Sequence, residues 1–298
     1  MALERVDKTR LIADLKTLSS PAMQGRKALS KGSEKAQDFI VRRFRQARLK
    51  PFNTDYRQRF YKPGFFQRDT RRHRGTNVIG WVEGTHRPQD FIVITAHYDH
   101  LGVKGRRIYP GADDNASGVA AMLALADFMT RSGTRHSVIF VATDSEEQGL
   151  YGVKDFLERP PVAIEQIRLN INLDMLGRGG GRQRLYVAGT RASQPLKEMI
   201  SKVAQNTSIC LKTGHDGIER ARRGSARSTN WRKASDHAEF HQNGIPYLYF
   251  GVDTHRDYHQ PSDTFNRIDQ PFYAAAVNAV LATFELVDGN QANFSGRR

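Results

Sequence analysis

The sequence predicts an α/β fold in three layers, with helices on both faces of a sheet, and three observations carry that expectation. Short apolar, β-rich runs bounded by polar residues alternate along the chain with segments of helical periodicity. An alanine-rich helix, Ala116 to Met129, has side chains small enough to pack closely on a sheet. Each cluster of histidine and carboxylate residues stands at the end of a predicted strand or in the loop after it, where sites form in open α/β sheets.

In chain order, residues 5–19 carry Leu11, Ile12, Leu15 and Leu18 at helical spacing and are expected to form a first helix. A loop over 21–32 contains Met23-Gln24-Gly25-Arg26, and a second helix over 33–47 places Ala36, Phe39, Ile40 and Phe44 on one face. Alternation of aromatic and polar residues predicts a strand at 56–61, with further strands at 77–82 and 91–96. After the helix that follows Asn115, strands are expected at 138–142, 169–173 and 185–187, then a helix over 194–205. A long connection rich in Arg, Gly and Ser spans 212–235, and connections of that length are usually functional or mobile. A short helix at 236–242, a strand at 247–250 and an amphipathic helix at 271–286 close the chain. No composition shift marks a linker, so one domain over 1–298 is expected, with residues 1–50 as a helical segment packed on it.

At 298 residues, 39% hydrophobic and 26% charged, the chain is long enough to bury a substantial core and has the balance of an ordinary globular protein. It has no internal repeat of solenoid period, and no apolar run approaches the roughly 18 residues of a membrane span. The N-terminal stretch lacks the apolar core of an export signal, so the chain as written reads as cytoplasmic, or as periplasmic or secreted if a leader was removed. A single cysteine, Cys210, excludes an intramolecular disulfide and a cysteine-based structural zinc site; beside Ser208, Ile209 and Leu211 it reads as a small residue within a strand. The net charge of +15 gathers in Arg71–Arg74, Lys104–Arg107 and Arg220–Lys233. No helix-turn-helix, zinc-finger or aromatic RNA-binding signature accompanies these clusters. A solvated, anion-attracting surface is therefore expected, with a non-catalytic nucleic-acid-binding protein as the alternative.

The chemistry centres on Phe91 to Gly118. His97 and Asp99, two apart on an extended chain, point the same way, so the carboxylate can stand beside the imidazole and orient it. Asp113 and Asp114 precede the alanine-rich helix, Glu146 and Glu147 follow the strand at 138–142, Asp174 ends the strand at 169–173, and Tyr258-His259 come after the strand at 247–250. Nitrogen and carboxylate ligands without cysteine suit zinc, with manganese or cobalt as substitutes. Two histidines and several carboxylates exceed the needs of one catalytic zinc, which points to a two-metal site. Adjacent glutamates can divide the labour, one binding metal and the other acting as general base on water. A Glu-Glu pair alone is commonly a solvated loop, but Ser145, Gly149 and Gly152 argue for a tightly turned one.

Taken together, His97-x-Asp99, Gly111-Ala112-Asp113-Asp114-Asn115-Ala116-Ser117-Gly118, Glu146-Glu147-x-Gly149-x-x-Gly152, Asn172-Leu173-Asp174-Met175, Ser235-Asp236-His237 and Tyr258-His259-Gln260-Pro261-Ser262-Asp263-Thr264 resemble the co-catalytic zinc aminopeptidases. These include the secreted bacterial leucyl and Streptomyces-type enzymes and are related to glutamate carboxypeptidase and glutaminyl cyclase. Met23-Gln24-Gly25-Arg26 is similar to the family's N-terminal segment, so the resemblance covers nearly the whole chain. It implies a three-layer α/β/α sandwich around a twisted, mostly parallel mixed sheet, with no protease-associated insert. It further implies hydrolysis of N-terminal peptide bonds on two zinc ions, the substrate being a peptide with a free N-terminus. On this resemblance Asp114 bridges both metals, His97 and Asp174 complete one, and Glu147 and His259 the other. Glu146 is then the general base, Asp99 the partner of His97, and Tyr258 a donor to the oxyanion.

Asp113 is expected to be a helix N-cap or loop acid, and Asp236-His237 to shape the pocket. His100, His241 and His255 are expected behind the ligands or at the surface. A glutaminyl cyclase-like acyltransferase, typically holding one zinc, is the runner-up; retention of His259 and of the Glu146-Glu147 pair disfavours it. The basic connection over 212–235 would favour acidic or anionic substrates if it overhangs the pocket.

Overall fold

The computed structural model describes residues 5–62, 72–219, 229–290 and 294. The helices are α1 (Lys8–Leu18), α2 (Lys31–Gln46), α3 (Gly118–Ser132), α4 (Tyr151–Glu158), α5 (Gln194–Asn206), α6 (His237–Gln242) and α7 (Gln270–Gly289). The strands are β1 (Arg57–Lys62), β2 (Arg72–Val82), β3 (Arg87–His97), β4 (Gly102–Lys104), β5 (Arg107–Tyr109), β6 (His136–Thr143), β7 (Ile167–Leu173), β8 (Arg184–Ala188), β9 (Cys210–Thr213), β10 (Ile218–Glu219), β11 (Thr229–Asn230) and β12 (Tyr247–Gly251).

Eight strands form one sheet in the order β1-β2-β6-β3-β7-β12-β8-β9, while β4-β5 and β10-β11 are small separate hairpins. The central four, β6, β3, β7 and β12, run parallel, and β8 runs parallel to β9. The pairs β1-β2, β2-β6 and β12-β8 are antiparallel. The expected mixed, mostly parallel sheet is therefore present, with its parallel part in the middle.

The three layers follow from the period of two along buried strands. Ile92, Ile94, Ala96, Val138, Phe140 and Ala142 enter a core with α1, α2, α3, α5 and α7. Phe91, Val93, Ile139 and Val141 face the other way and pack with Val153, Phe156 and Phe240 of α4 and α6. Helix starts are set by short polar side chains: Asp7 accepts from the Arg10 N–H at 3.0 Å, Ser30 from Ser33 at 3.2 Å and Asp269 from Phe272 at 3.2 Å. Helix α7 is long and apolar enough to cross a membrane by length and composition, but 67% of that window is buried inside the protein. Its apolarity serves the core.

The pairs β4-β5 and β10-β11 were not expected, the latter within the 212–235 stretch read as one long connection, and two helices also differ from expectation. The Ala116–Met129 helix begins at Gly118, because residues 112–117 form an irregular turn in which Asp114 and Asn115 leave helical geometry. Helix α4 stands where only a tight loop was expected: Gly149 and Gly152 flag the turn, and its apolar face Val153, Phe156 and Leu157 is too short for a period to register. Cys210 opens β9 and is exposed.

Candidate metal centre

The C-terminal ends of β6, β3, β7 and β12 lie along one edge, and their loops converge there. His97 is the last residue of β3, Asp174 follows β7, Glu146 and Glu147 follow β6, and His259 lies in the loop after β12. Ser145, Met175 and His259 all have positive φ, at 60°, 64° and 57°, so the chain bends sharply beside each of these positions.

Asp114 arrives from the turn ahead of α3. The Asp263 carboxylate accepts from the N–H groups of Asp113 and Asp114 at 3.1 Å. Asn115, joined to Asp114 by a cis peptide, donates to the Leu173 carbonyl at 2.9 Å and accepts from the N–H groups of Gly118 and Met175. These bonds tie Asp114 to the end of β7.

Arg26 ties the same region to the N-terminal segment. Its fully buried guanidinium donates to the carbonyls of Leu18, Tyr98, Pro110 and Gly111 at 2.6–2.8 Å. Burial lowers its pKa to about 10 despite the nearby Asp114, Asp263 and Asp99, so it stays charged at neutral pH. Gly25 precedes it at φ +64°, where a Cβ would lie 2.3 Å from the Tyr109 carbonyl oxygen.

Asp114 presents its two oxygens to two groups of donors. Oδ1 lies 3.4 Å from His97 Nε2, which is 3.3 Å from Asp174 Oδ1. Oδ2 lies 3.1 Å from His259 Nε2, which is 3.2 Å from Glu147 Oε2. Donors around one tetrahedral zinc at 2.0–2.2 Å stand about 3.3–3.6 Å apart, close to these separations. Asp114 Oδ2 and Glu147 Oε1 are buried without a hydrogen-bond partner, a condition a cation relieves. The donor set fits a pair of metal ions that share Asp114.

The electrostatics agree with a site built for positive charge. Burial would lower the pKa of His97, yet Asp174, Glu146 and Asp114 raise it well above its usual value. Burial likewise opposes the charge on His259, but Asp114 and Glu147 lift it to about 10. Burial raises Glu147, whereas His100 and His259 outweigh that and hold it far below the carboxylate range. Glu146 goes the other way: burial, with Asp174 and Asp236 nearby, pushes it well up against the pull of His97.

Asp99 is placed differently from the arrangement its spacing suggested. His97 Nδ1 lies 3.2 Å from the Asp99 main-chain carbonyl, while the carboxylate stands 3.8 Å from that nitrogen. The carboxylate instead accepts from the Glu146 N–H at 3.0 Å. Asp99 thus connects His97 to Glu146. Of its two expected readings Asp113 is the loop acid, not an N-cap; it is fully buried, accepts from the Gly177 N–H at 2.6 Å and from Ser117 Oγ at 3.2 Å, and lies 3.1 Å from His255 Nε2.

The open side of the centre is a cavity lined by His97, Asp114, Glu146, Asp174 and His259, with Met175, Trp231, Ala234, Tyr249, Thr254 and Tyr258 as its other wall. Tyr258 stacks on His259 with ring centroids 3.9 Å apart. Burial of its hydroxyl, with Asp114 and Glu147 nearby, holds that group protonated. His237 supports the wall from behind, Nε2 lying 2.8 Å from the Trp231 carbonyl oxygen, and burial lowers its pKa to about 4. Trp231 stacks flat on His215 at 3.6 Å. Of this wall, Tyr258 was singled out in the sequence and Met175 stands in a recognised motif, whereas no spacing links Trp231, Ala234, Tyr249 and Thr254 to the site. His241 is exposed. His100, by contrast, is buried beside Glu147 and Asp114. Of the basic stretches, Arg71 and residues 220–228 fall outside the described residues, but Trp231 and Ala234 of the 212–235 connection line the cavity.

The chain is similar to several known proteins. Aminopeptidase YwaD of Bacillus subtilis is 27% identical over 215 residues, 69% of this chain and 43% of its own length. The chain thus spans less than half of that relative. Among solved structures, a zinc aminopeptidase from Bacillus subtilis matches with a TM-score of 0.75 at 17% identity over 97% of both chains. A glutaminyl cyclase from Porphyromonas gingivalis matches with a TM-score of 0.71 at 17% identity over 94% of this chain and 98% of its own. At such identities the likeness is one of fold, and one fold hosts both chemistries. Residues 77–284 match the peptidase family M28 along most of the chain, across every position of the centre described above; the protein belongs to peptidase family M28.

Proposed function

We propose that this protein is a zinc aminopeptidase that removes the N-terminal residue of peptides, with Glu146 as its general base. The observation that carries the proposal is the position of Asp114, one oxygen toward His97 and Asp174 and the other toward Glu147 and His259. In it, His97, Asp114 and Asp174 hold one zinc, and Asp114, Glu147 and His259 the second. Bound there, zinc would polarise the scissile carbonyl and bring the pKa of water toward neutrality.

The chain's own residues supply the rest. Glu146 lines the cavity and its backbone is fixed by Asp99, so its carboxylate takes the proton of the attacking water and returns it to the departing amine nitrogen. Its raised pKa suits a group that must both accept and donate. Tyr258, kept protonated, donates to the oxyanion. The apolar wall of Met175, Trp231 and Tyr249 receives the side chain of the residue being removed.

The test is cleavage of a mixed peptide pool, half with free and half with acetylated N-termini, read by mass spectrometry before and after chelation and zinc add-back. Stepwise loss of N-terminal residues from free peptides only, abolished by chelator and restored by zinc, is the expected result. Loss of ammonia from N-terminal glutamine without cleavage would replace this reading with a cyclase. Glu146→Gln is expected to bind zinc and lose turnover; an active variant would remove Glu146 from the base role.

A further inference from the structure

His100 was expected behind the ligands or at the surface, and it is not at the surface. The residue is 1% exposed, and neither ring nitrogen has a hydrogen-bond partner. Its Nδ1 lies 2.8 Å from Glu147 Oε1 and 3.7 Å from Asp114 Oδ2. Those two oxygens are themselves buried without hydrogen bonds, so the 2.8 Å approach is made at an angle that forms none. Three donor atoms on three residues therefore converge within 4.8 Å, unsatisfied, in the interior. Unpaired buried polar groups are costly, and native interiors seldom keep several together.

The imidazole is held in this position by its surroundings. A Cβ on Gly111 would lie 2.6 Å from His100 Cγ and Cδ2, so the ring fills the space that this glycine leaves. On the other side the His259 ring stands edge-on at 5.7 Å between centroids. The ring thus lies against Gly111 and His259 and beside Asp114 and Glu147.

We propose that His100 is a ligand of the second metal position, binding through Nδ1 beside Asp114, Glu147 and His259. The inference rests on the two-metal reading above and makes its two halves unequal. The second position then has four protein ligands and is closed, as structural zinc sites are. The first, with His97, Asp114 and Asp174, keeps a place open toward the cavity and Glu146. Two imidazoles also bias the second position toward zinc or cobalt over magnesium.

The test uses the whole chain loaded with zinc. Metal content comes first: fewer than two zinc per chain refutes the two-metal reading itself. With two bound, an anomalous-difference map at the zinc edge is expected to place one ion about 2.0–2.1 Å from His100 Nδ1. An ion beyond 3 Å from that nitrogen overturns the assignment whatever any variant does. In solution, His100→Ala is expected to weaken one of the two zinc equivalents by more than about 100-fold, measured by competition with a chelating indicator. Loss of an outer partner costs about 10–100-fold, so a loss within or below that range overturns direct ligation.

Discussion

Replacing Arg26 with methionine tests whether the N-terminal segment holds the metal loops in place. The substitution keeps the length of the side chain and removes four donated hydrogen bonds, to Leu18, Tyr98, Pro110 and Gly111. Each stranded carbonyl would cost about 1–3 kcal/mol if it stayed dry. The sum overstates the loss, because burying the guanidinium is itself costly and losses in one network are not additive. Hydrogen bonds to a charged group contribute about 1.5–3 kcal/mol each, and for four that act as one network we take about 4 kcal/mol together. For a chain of this size that corresponds to a fall in Tm of about 8–16 °C, at about 2–4 °C per kcal/mol. Tyr98 lies between His97 and Asp99, and Gly111 lies three residues before Asp114, so zinc affinity is expected to fall as well. Thermal melts with and without zinc measure both effects. Arg26→Lys, with one ammonium in place of the fork, is expected to fall between methionine and the native residue. A methionine variant within about 1 kcal/mol of the native protein, binding zinc normally, would refute the role given to Arg26.

Three further outcomes follow from the same structure. Burial pushes the Asp288 carboxyl up, but His136 and the N–H groups of Arg135 and His136 outweigh it and hold the pKa below 3.8. Its stabilisation is thus present above that value and lost as pH falls through the lower folded-state value. Asp288→Asn is expected to cost about 1–3 kcal/mol at pH 7 in urea melts, with the gap to the native protein closing below about pH 4; an equal gap at both pH values would disprove the coupling. Gly152→Ala places a Cβ 2.3 Å from the Asp144 carbonyl oxygen and 2.5 Å from Asn77 Oδ1, so a loss of about 1–3 kcal/mol is expected. A melt unchanged by that substitution would refute the close packing of the start of α4 on Asp144 and Asn77. Adding chelator is expected to lower Tm, since zinc at 100 times its Kd contributes about 2.7 kcal/mol to stability; an unchanged Tm would argue against occupied sites.

The sequence by itself determined the alternation of elements and singled out His97, Asp114, Glu147, Asp174 and His259 as candidate donors. Runs such as Phe91-Ile92-Val93-Ile94 are buried on both faces, so apolar content and flanking polarity reveal them as central strands. His97, Asp174 and the Glu146-Glu147 pair were legible because a parallel sheet delivers strand ends to one edge, which local pattern already encodes. Tertiary structure decided what depends on approach between distant segments. The sharing of Asp114 between two donor groups arises from loops that end 60 and 145 residues away, at Asp174 and His259. The same holds for Arg26, whose acceptors lie as far as 85 residues along the chain, and for the wall that joins Met175, Trp231 and Tyr249. Asp99 illustrates the boundary: spacing placed it beside His97, but the fold turned its carboxylate to the Glu146 N–H. His100 lies beyond that boundary, since its residue type is ordinary for a loop and only burial without a partner marks it out. Local pattern records which side chains a strand end will present, whereas their partners are fixed by packing across the sheet.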